Sequence, residues 1–149
     1  LINKYSLSGD SFEFMHAVIT THVIACALEQ NNNTEKTDAP TWIITLLDKL
    51  NNLDFLILPM REIISSIGYS QEYICREFKK YMKQTVVSFF NSQKIHYASF
   101  LLMNTNMKIL EIAITIGYSS PKNFIHQFTK MYHMAPNEWR KKNQLSSRK

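Results

Sequence analysis

Apolar residues in this chain recur mostly at three- and four-residue intervals and nowhere in sustained alternation, so the pattern predicts amphipathic helices and an all-α fold. Between Pro59 and Arg140 that pattern is laid down twice. The stretches "PMREIISSIGYSQEYICREFKKYMKQTVVSFF" and "NMKILEIAITIGYSSPKNFIHQFTKMYHMAPNEWR" each begin with a short helix, carried by Ile63, Ile64 and Ile67 or by Ile109, Ile112 and Ile116. Each then meets the phrase Ile-Gly-Tyr-Ser, whose glycines, Gly68 and Gly117, stand 49 residues apart. A helix end commonly needs a left-handed residue, which glycine adopts without a steric penalty. Tyr69 and Tyr118 are expected to pack over the two turns, and Ser70 and Ser119 to supply N-cap oxygens for a second helix. In that helix Ile74 and Phe78, or Phe124 and Phe128, face inward at i, i+4 spacing. Two helices joined by a tight glycine turn make a helix-turn-helix, whose second helix is the candidate reader of a DNA groove. Helical hairpins also repeat in protein-binding solenoids, but two copies, a joining segment and the charge described below favour DNA.

The first 38 residues read as a separate helical segment and linker, and residues 39–149 as the domain that holds the repeat. Asp10 and Glu13 resemble a capping box, and the run that follows reaches Gln30 without Gly or Pro. Its apolar residues cover more than one face, so residues 11–30 are expected to bury against another domain or to form a homodimer. After the polar "NNNTEKT", Asp38 and Pro40 signal the start of a helix over "TWIITLLDKLNNL", with Trp42, Ile43, Leu46, Leu47 and Leu50 on one stripe.

Charge sharpens this division. Residues 1–59 carry three Lys/Arg against seven Asp/Glu, net −4, whereas residues 60–149 carry fourteen against five, net +9. A basic helical half points to a polyanion, most often nucleic acid. No apolar run approaches the roughly 20 residues needed to span a bilayer and no signal peptide is visible, so an intracellular, cytoplasmic protein without a membrane partner is expected. Cys26 and Cys75 form no recognisable pair, which fits a reducing compartment. His22 and Cys26 are four apart on one helix, but two ligands do not make a metal site, and neither a metal nor a cofactor is expected. The chain begins at Leu1 rather than methionine, as a fragment of a longer protein would.

The region from about Pro40 to Lys142 resembles the DNA-binding domain of AraC/XylS-family transcription regulators. The second copy carries most of the likeness: an Ile-Ala helix, a Gly-aromatic-Ser turn, Phe124 and Phe128 four apart, and Pro136 followed by Trp139 and Arg140. "VVSFFNSQKIHYASFLL" is similar to the family's linker helix, with Ala98, Leu101 and Leu102 in matching places. The resemblance implies one helix-turn-helix over about 59–83, a linker helix over about 85–103 and a second helix-turn-helix over about 107–133. It further implies an upstream effector-binding domain, a small-molecule, sugar-type effector, RNA polymerase as a further partner, and control of a carbohydrate-utilisation operon. Two departures stand out. Lys83 and His133 occupy places where the family often has glycine, so different helix caps are expected, and Ile64 stands where the second copy has Ala113.

Helix geometry assigns the remaining roles. With Ile74 and Phe78 inward, Gln71, Glu72, Cys75, Arg76 and Lys79 lie on or beside the outer face of the first reading helix, and Lys122, Asn123 and His126 are comparable in the second. Arg76 suits a base contact, because its planar fork matches guanine O6 and N7. Its alternative is an ion pair with Glu72 or Glu77. Ser70, Lys79, Lys80, Lys83, Ser119, Lys130 and Arg140 suit phosphates. A linker helix of about 18 residues gives a rod of about 27 Å, close to one DNA turn once its flanking helices are added. Two other readings compete: a helical protein-interaction module, and a DNA-repair methyltransferase with the same reader and Cys75 as nucleophile. No base or oxyanion stabiliser accompanies that cysteine, so no enzyme is expected.

Overall fold

The computed structural model describes residues 40–144, and for Leu53 and Gln144 the backbone alone. The predicted helix over 11–30, its dimer contact and the pair His22 and Cys26 lie outside the described residues. What is described is helical throughout, with no strand: α1 (Thr41–Asn51), α2 (Leu53–Leu56), α3 (Met60–Ser65), α4 (Gln71–Met82), α5 (Val86–Asn104), α6 (Ile109–Thr115), α7 (Pro121–Tyr132) and α8 (Pro136–Gln144). The expected pair of helix-turn-helix units, α3–α4 and α6–α7, stands on either side of a linker helix, α5.

α1 buries the predicted stripe of Trp42, Ile43, Leu46, Leu47 and Leu50. It does not run on to Leu53 as expected. Asn52 adopts an extended conformation and its side-chain oxygen accepts from Asp54 N–H at 2.8 Å, ending one helix and capping the short α2. An Asn that bonds the backbone two residues on competes with the helix ladder, and here it wins. α2 returns the chain so that Leu56 joins the first core while Ile57 stays exposed.

Two apolar cores form, one per unit. Trp42, Leu46, Leu50, Ile63, Ile74, Phe78 and Phe89 fill the first, and Ala98, Leu102, Ile112, Ala113, Ile116, Phe124 and Phe128 the second. Each large side chain withdrawn completely from water contributes roughly 1.5–3 kcal/mol, and Phe78, Phe124 and Phe128 are so withdrawn. Both Ile64 and Ala113 are buried where their helices meet their partners. Phe90 of α5 belongs to the first core and Ile95, Ala98, Leu101 and Leu102 to the second, so α5 carries apolar side chains on several faces instead of one stripe. A helix buried from several sides has no polar side to lose.

The repeat runs further than the turn. Phe78 meets Phe89 edge-on at 5.8 Å, and Phe128 meets Trp139 edge-on at 5.9 Å. The start of α5 thus sits on α4 as α8 sits on α7, each pair 50 residues apart. In the helix before the turn the offset is 49, so one residue has been added between the two halves of the second unit.

Candidate nucleic-acid interface

That added residue changes the cap. In the first unit Ser70 is the N-cap of α4, accepting from Tyr73 N–H at 3.3 Å. In the second, the N-cap is Ser120 and not Ser119 as expected, because Pro121 occupies the first helical position, where a missing N–H costs nothing. Ser120 makes no side-chain cap bond, and Ser119 is an exposed turn residue. The turns differ in another way. Tyr69 is exposed and stacks on Tyr73 at 5.2 Å, with Trp42 of α1 at 5.9 Å, forming an aromatic clasp over the first turn. Tyr118 is buried against Phe124 at 5.8 Å, and this burial pushes its phenol up to about 12.

With these turns set, α4 and α7 each bury one stripe and leave the other face open. On α4, Ile74 and Phe78 are inward, and Gln71, Glu72, Arg76, Lys79 and Lys80 are exposed. Cys75 is half-buried and leans on the first core, so of the expected set it is the one least presented outward. Arg76 donates from Nε to Glu77 Oε1 at 3.1 Å and lies over the Tyr73 ring, 5.6 Å from its centroid. Lys80 Nζ sits 3.9 Å from the other Glu77 oxygen. These are exposed pairs that add little stability. Glu77 meets the guanidinium at Nε and the Tyr73 ring lies against it, while the side chain stays largely exposed.

On α7, Phe124 and Phe128 are inward, and Lys122, Asn123, His126 and Lys130 are exposed as expected. Ile125 is also exposed, at 39%, beside His126. It sits directly after inward Phe124, where a helix has already turned by about 100°.

Two basic residues depart from expectation. Arg140 is half-buried, and its Nη2 donates to the carbonyl oxygen of Met107, tying α8 to the start of α6. Burial pulls its pKa down, and its Nε is enclosed without a partner. It is a brace between helices, not an outward phosphate ligand. Lys83 is exposed at the end of α4, and there the expectation of a different cap fails: Lys83 at φ 56° and His133 at φ 54° both adopt the left-handed conformation that glycine would supply. Among the described residues no three His, Cys, Asp or Glu side chains gather to hold a metal, and no helix is long and apolar enough to cross a membrane.

Paired helix-turn-helix units on a common rod are matched by known proteins. The profile of a helix-turn-helix domain family covers residues 64–142, over half of the chain. The chain belongs to the AraC/XylS family. An uncharacterised response regulatory protein of Staphylococcus epidermidis is 34% identical over 80 residues, covering 54% of this chain and 32% of that protein. The melibiose operon regulatory protein of Escherichia coli is 23% identical over 144 residues, covering 97% of this chain and 45% of its own length. Among solved structures, the DNA-binding domain of the transcriptional factor AdpA in complex with a target DNA superposes with a TM-score of 0.62 at 17% identity, over 68% of this chain and 94% of that one. The chain thus spans less than half the length of these two curated relatives. That family consists of DNA-binding transcription regulators.

Proposed function

We propose that this AraC/XylS domain reads two adjacent major-groove segments of an operator, one with α4 and one with α7, and that the operator serves carbohydrate utilisation. The observation that carries the first part is the pair of open, polar faces on α4 and α7 at corresponding places of a repeat. In this reading Gln71, Glu72, Arg76, Lys122, Asn123 and His126 address base edges, with Cys75 at the margin. Ser70, Lys79, Lys80, Lys83, Ser119 and Lys130 contact the phosphates that fix register. α5, at 19 residues, makes a rod of about 28 Å, and an operator that bends brings both grooves into reach. Support for a carbohydrate operon comes from the melibiose operon regulator, which aligns with nearly the whole chain. A sugar-type effector acting through an upstream domain, dimer formation through residues 11–30, contact with RNA polymerase and work in the cytoplasm complete the proposal.

Arg76 and Lys80 separate the two kinds of contact. Arg76→Ala is expected to cost about 1–3 kcal/mol and to relax preference at one or two base pairs. Lys80→Ala should weaken all sequences alike and lower the salt slope by about one unit. Titrations of matched and mismatched operators at several salt concentrations decide it, and equal, sequence-independent losses from both changes would refute these roles.

A further inference from the structure

Lys94 lies in the middle of α5 and is buried, at 7% exposure. Neither ion pair of the described residues involves it. Its Nζ instead sits 4.6 Å from the ring centroid of Phe90 and 5.6 Å from that of Tyr118. Phe90 belongs to the first core and Tyr118 to the second, so the ammonium stands in the seam between the two units.

The two glycines of the repeated phrase behave differently at this seam. A Cβ placed on Gly68 would meet nothing within 4 Å, so that glycine answers only to its φ of +85°. A Cβ on Gly117, at φ +74°, would lie 3.1 Å from Lys94 Nζ, 3.2 Å from the Cα of Ile57 and 3.3 Å from the carbonyl oxygen of Leu56. The second turn is therefore pressed against the end of α2, which belongs to the first unit, with the lysine at the point of contact. An ammonium there is held by the faces of two rings, an attraction that depends on its place over them. An apolar side chain of similar length would fill the seam but could shift within it. Desolvation draws the Lys94 pKa down.

We propose that Lys94, seated between Phe90, Tyr118 and the Gly117 turn, is a positioning residue that locks the second unit against the end of α2 and so fixes the spacing at which α4 and α7 present themselves. The consequence for operator spacing rests on the reading of α4 and α7 as DNA readers, whereas the lock itself does not.

The lock is tested without DNA on the whole chain, in a Cys26→Ser, Cys75→Ala background with spin labels on Arg61→Cys of α3 and Leu110→Cys of α6, both exposed positions. Pulsed dipolar spectroscopy should give one narrow distance distribution for Lys94 and for Lys94→Arg, which keeps the cation, and a clearly broader one for Lys94→Met, with helicity by circular dichroism unchanged. The second arm uses a duplex selected by the wild-type chain from random DNA, with one base pair then inserted between its two protected segments. That insertion turns one segment by about 35° against the other. The wild type should lose about tenfold in affinity, as for one bad mismatch, and Lys94→Met less than about threefold. A distance distribution no broader in Lys94→Met than in wild type, or an equal spacing penalty in both, overturns the proposal. A narrow wild-type distribution that broadens in Lys94→Met, from a chain that selects no DNA sequence, upholds the lock and refutes the DNA reading.

Discussion

Lys83 and His133 each hold a backbone conformation that costs an ordinary L-residue roughly 1–2 kcal/mol. Lys83 follows α4 and His133 follows α7, and His133 N–H donates to Thr129 O at 2.8 Å. Lys83→Gly and His133→Gly should therefore each stabilise the chain, by about 0.5–1 kcal/mol after glycine's own entropy is deducted. Thermal unfolding measures this, and an unchanged or lower midpoint would show that the side chains compensate the strain. Ile125 makes a second point at the same scale. On the proposal that α7 reads DNA, an exposed isoleucine there suits the methyl group of thymine, the one apolar feature of the major groove. Replacing thymine by uracil along a selected duplex should lower wild-type affinity at one position by about 0.8 kcal/mol, the worth of a buried carbon, while Ile125→Ala is indifferent to the change. Equal sensitivity of both proteins at every thymine would exclude that contact.

Between elements, α5 is joined to α7 by a closed polar chain. His96 Nδ1 lies 3.2 Å from Tyr132 Oη, Tyr132 donates to Ser99 Oγ at 3.0 Å, and Ser99 donates to the His96 carbonyl at 2.7 Å. Since the tyrosine proton is committed to Ser99, the His96 proton must sit on Nδ1 for the chain to be complete. Burial holds His96 below its ordinary value of 6.5, so the unfolded chain takes up that proton first as the pH falls. Stability from this group is full above that ordinary value, is lost as pH falls below it, and levels off once the folded histidine is protonated as well. Thermal midpoints between pH 8 and pH 5 should therefore fall more steeply for wild type than for His96→Gln. Identical pH profiles for the two proteins would count against a half-buried, neutral His96. Tyr132 also packs on Trp139 at 5.3 Å, so the same side chain helps seat α8.

At the scale of the whole molecule, α5 decides how the two units face one another, because both cores draw side chains from it. Inserting one alanine near Ser92 would lengthen the rod by only about 1.5 Å but rotate everything beyond it by about 100°. It would also carry Lys94 out of its seam. Helicity should largely persist while specific affinity falls toward that of a single unit. Footprinting on one selected duplex checks this, and protection of both segments with wild-type affinity would mean that the units are flexibly joined.

Much of this was legible in the sequence, because helical periodicity, glycine turns and serine caps are local properties that neighbouring residues enforce on one another. The stripe of α1 and the inward pairs Ile74/Phe78 and Phe124/Phe128 follow from such patterns, whereas the extent of α5, which has no single apolar stripe, came from the family resemblance. The outward residues of α4 and α7 could be named for the same reason: a helix with a known inside has a known outside. Ser120 displaced Ser119 as a cap through the neighbouring Pro121, a local cue that the likeness of the two phrases concealed. Other roles were fixed only by distant contacts. Arg140 became a brace because Met107 offers it a carbonyl, and Lys94 became buried because a glycine turn 23 positions further along the chain closes over it. Both are long cations whose sequence neighbours give no hint of burial. A charged side chain goes wherever the tertiary structure supplies carbonyls and ring faces to receive it, and those arrive from other parts of the chain.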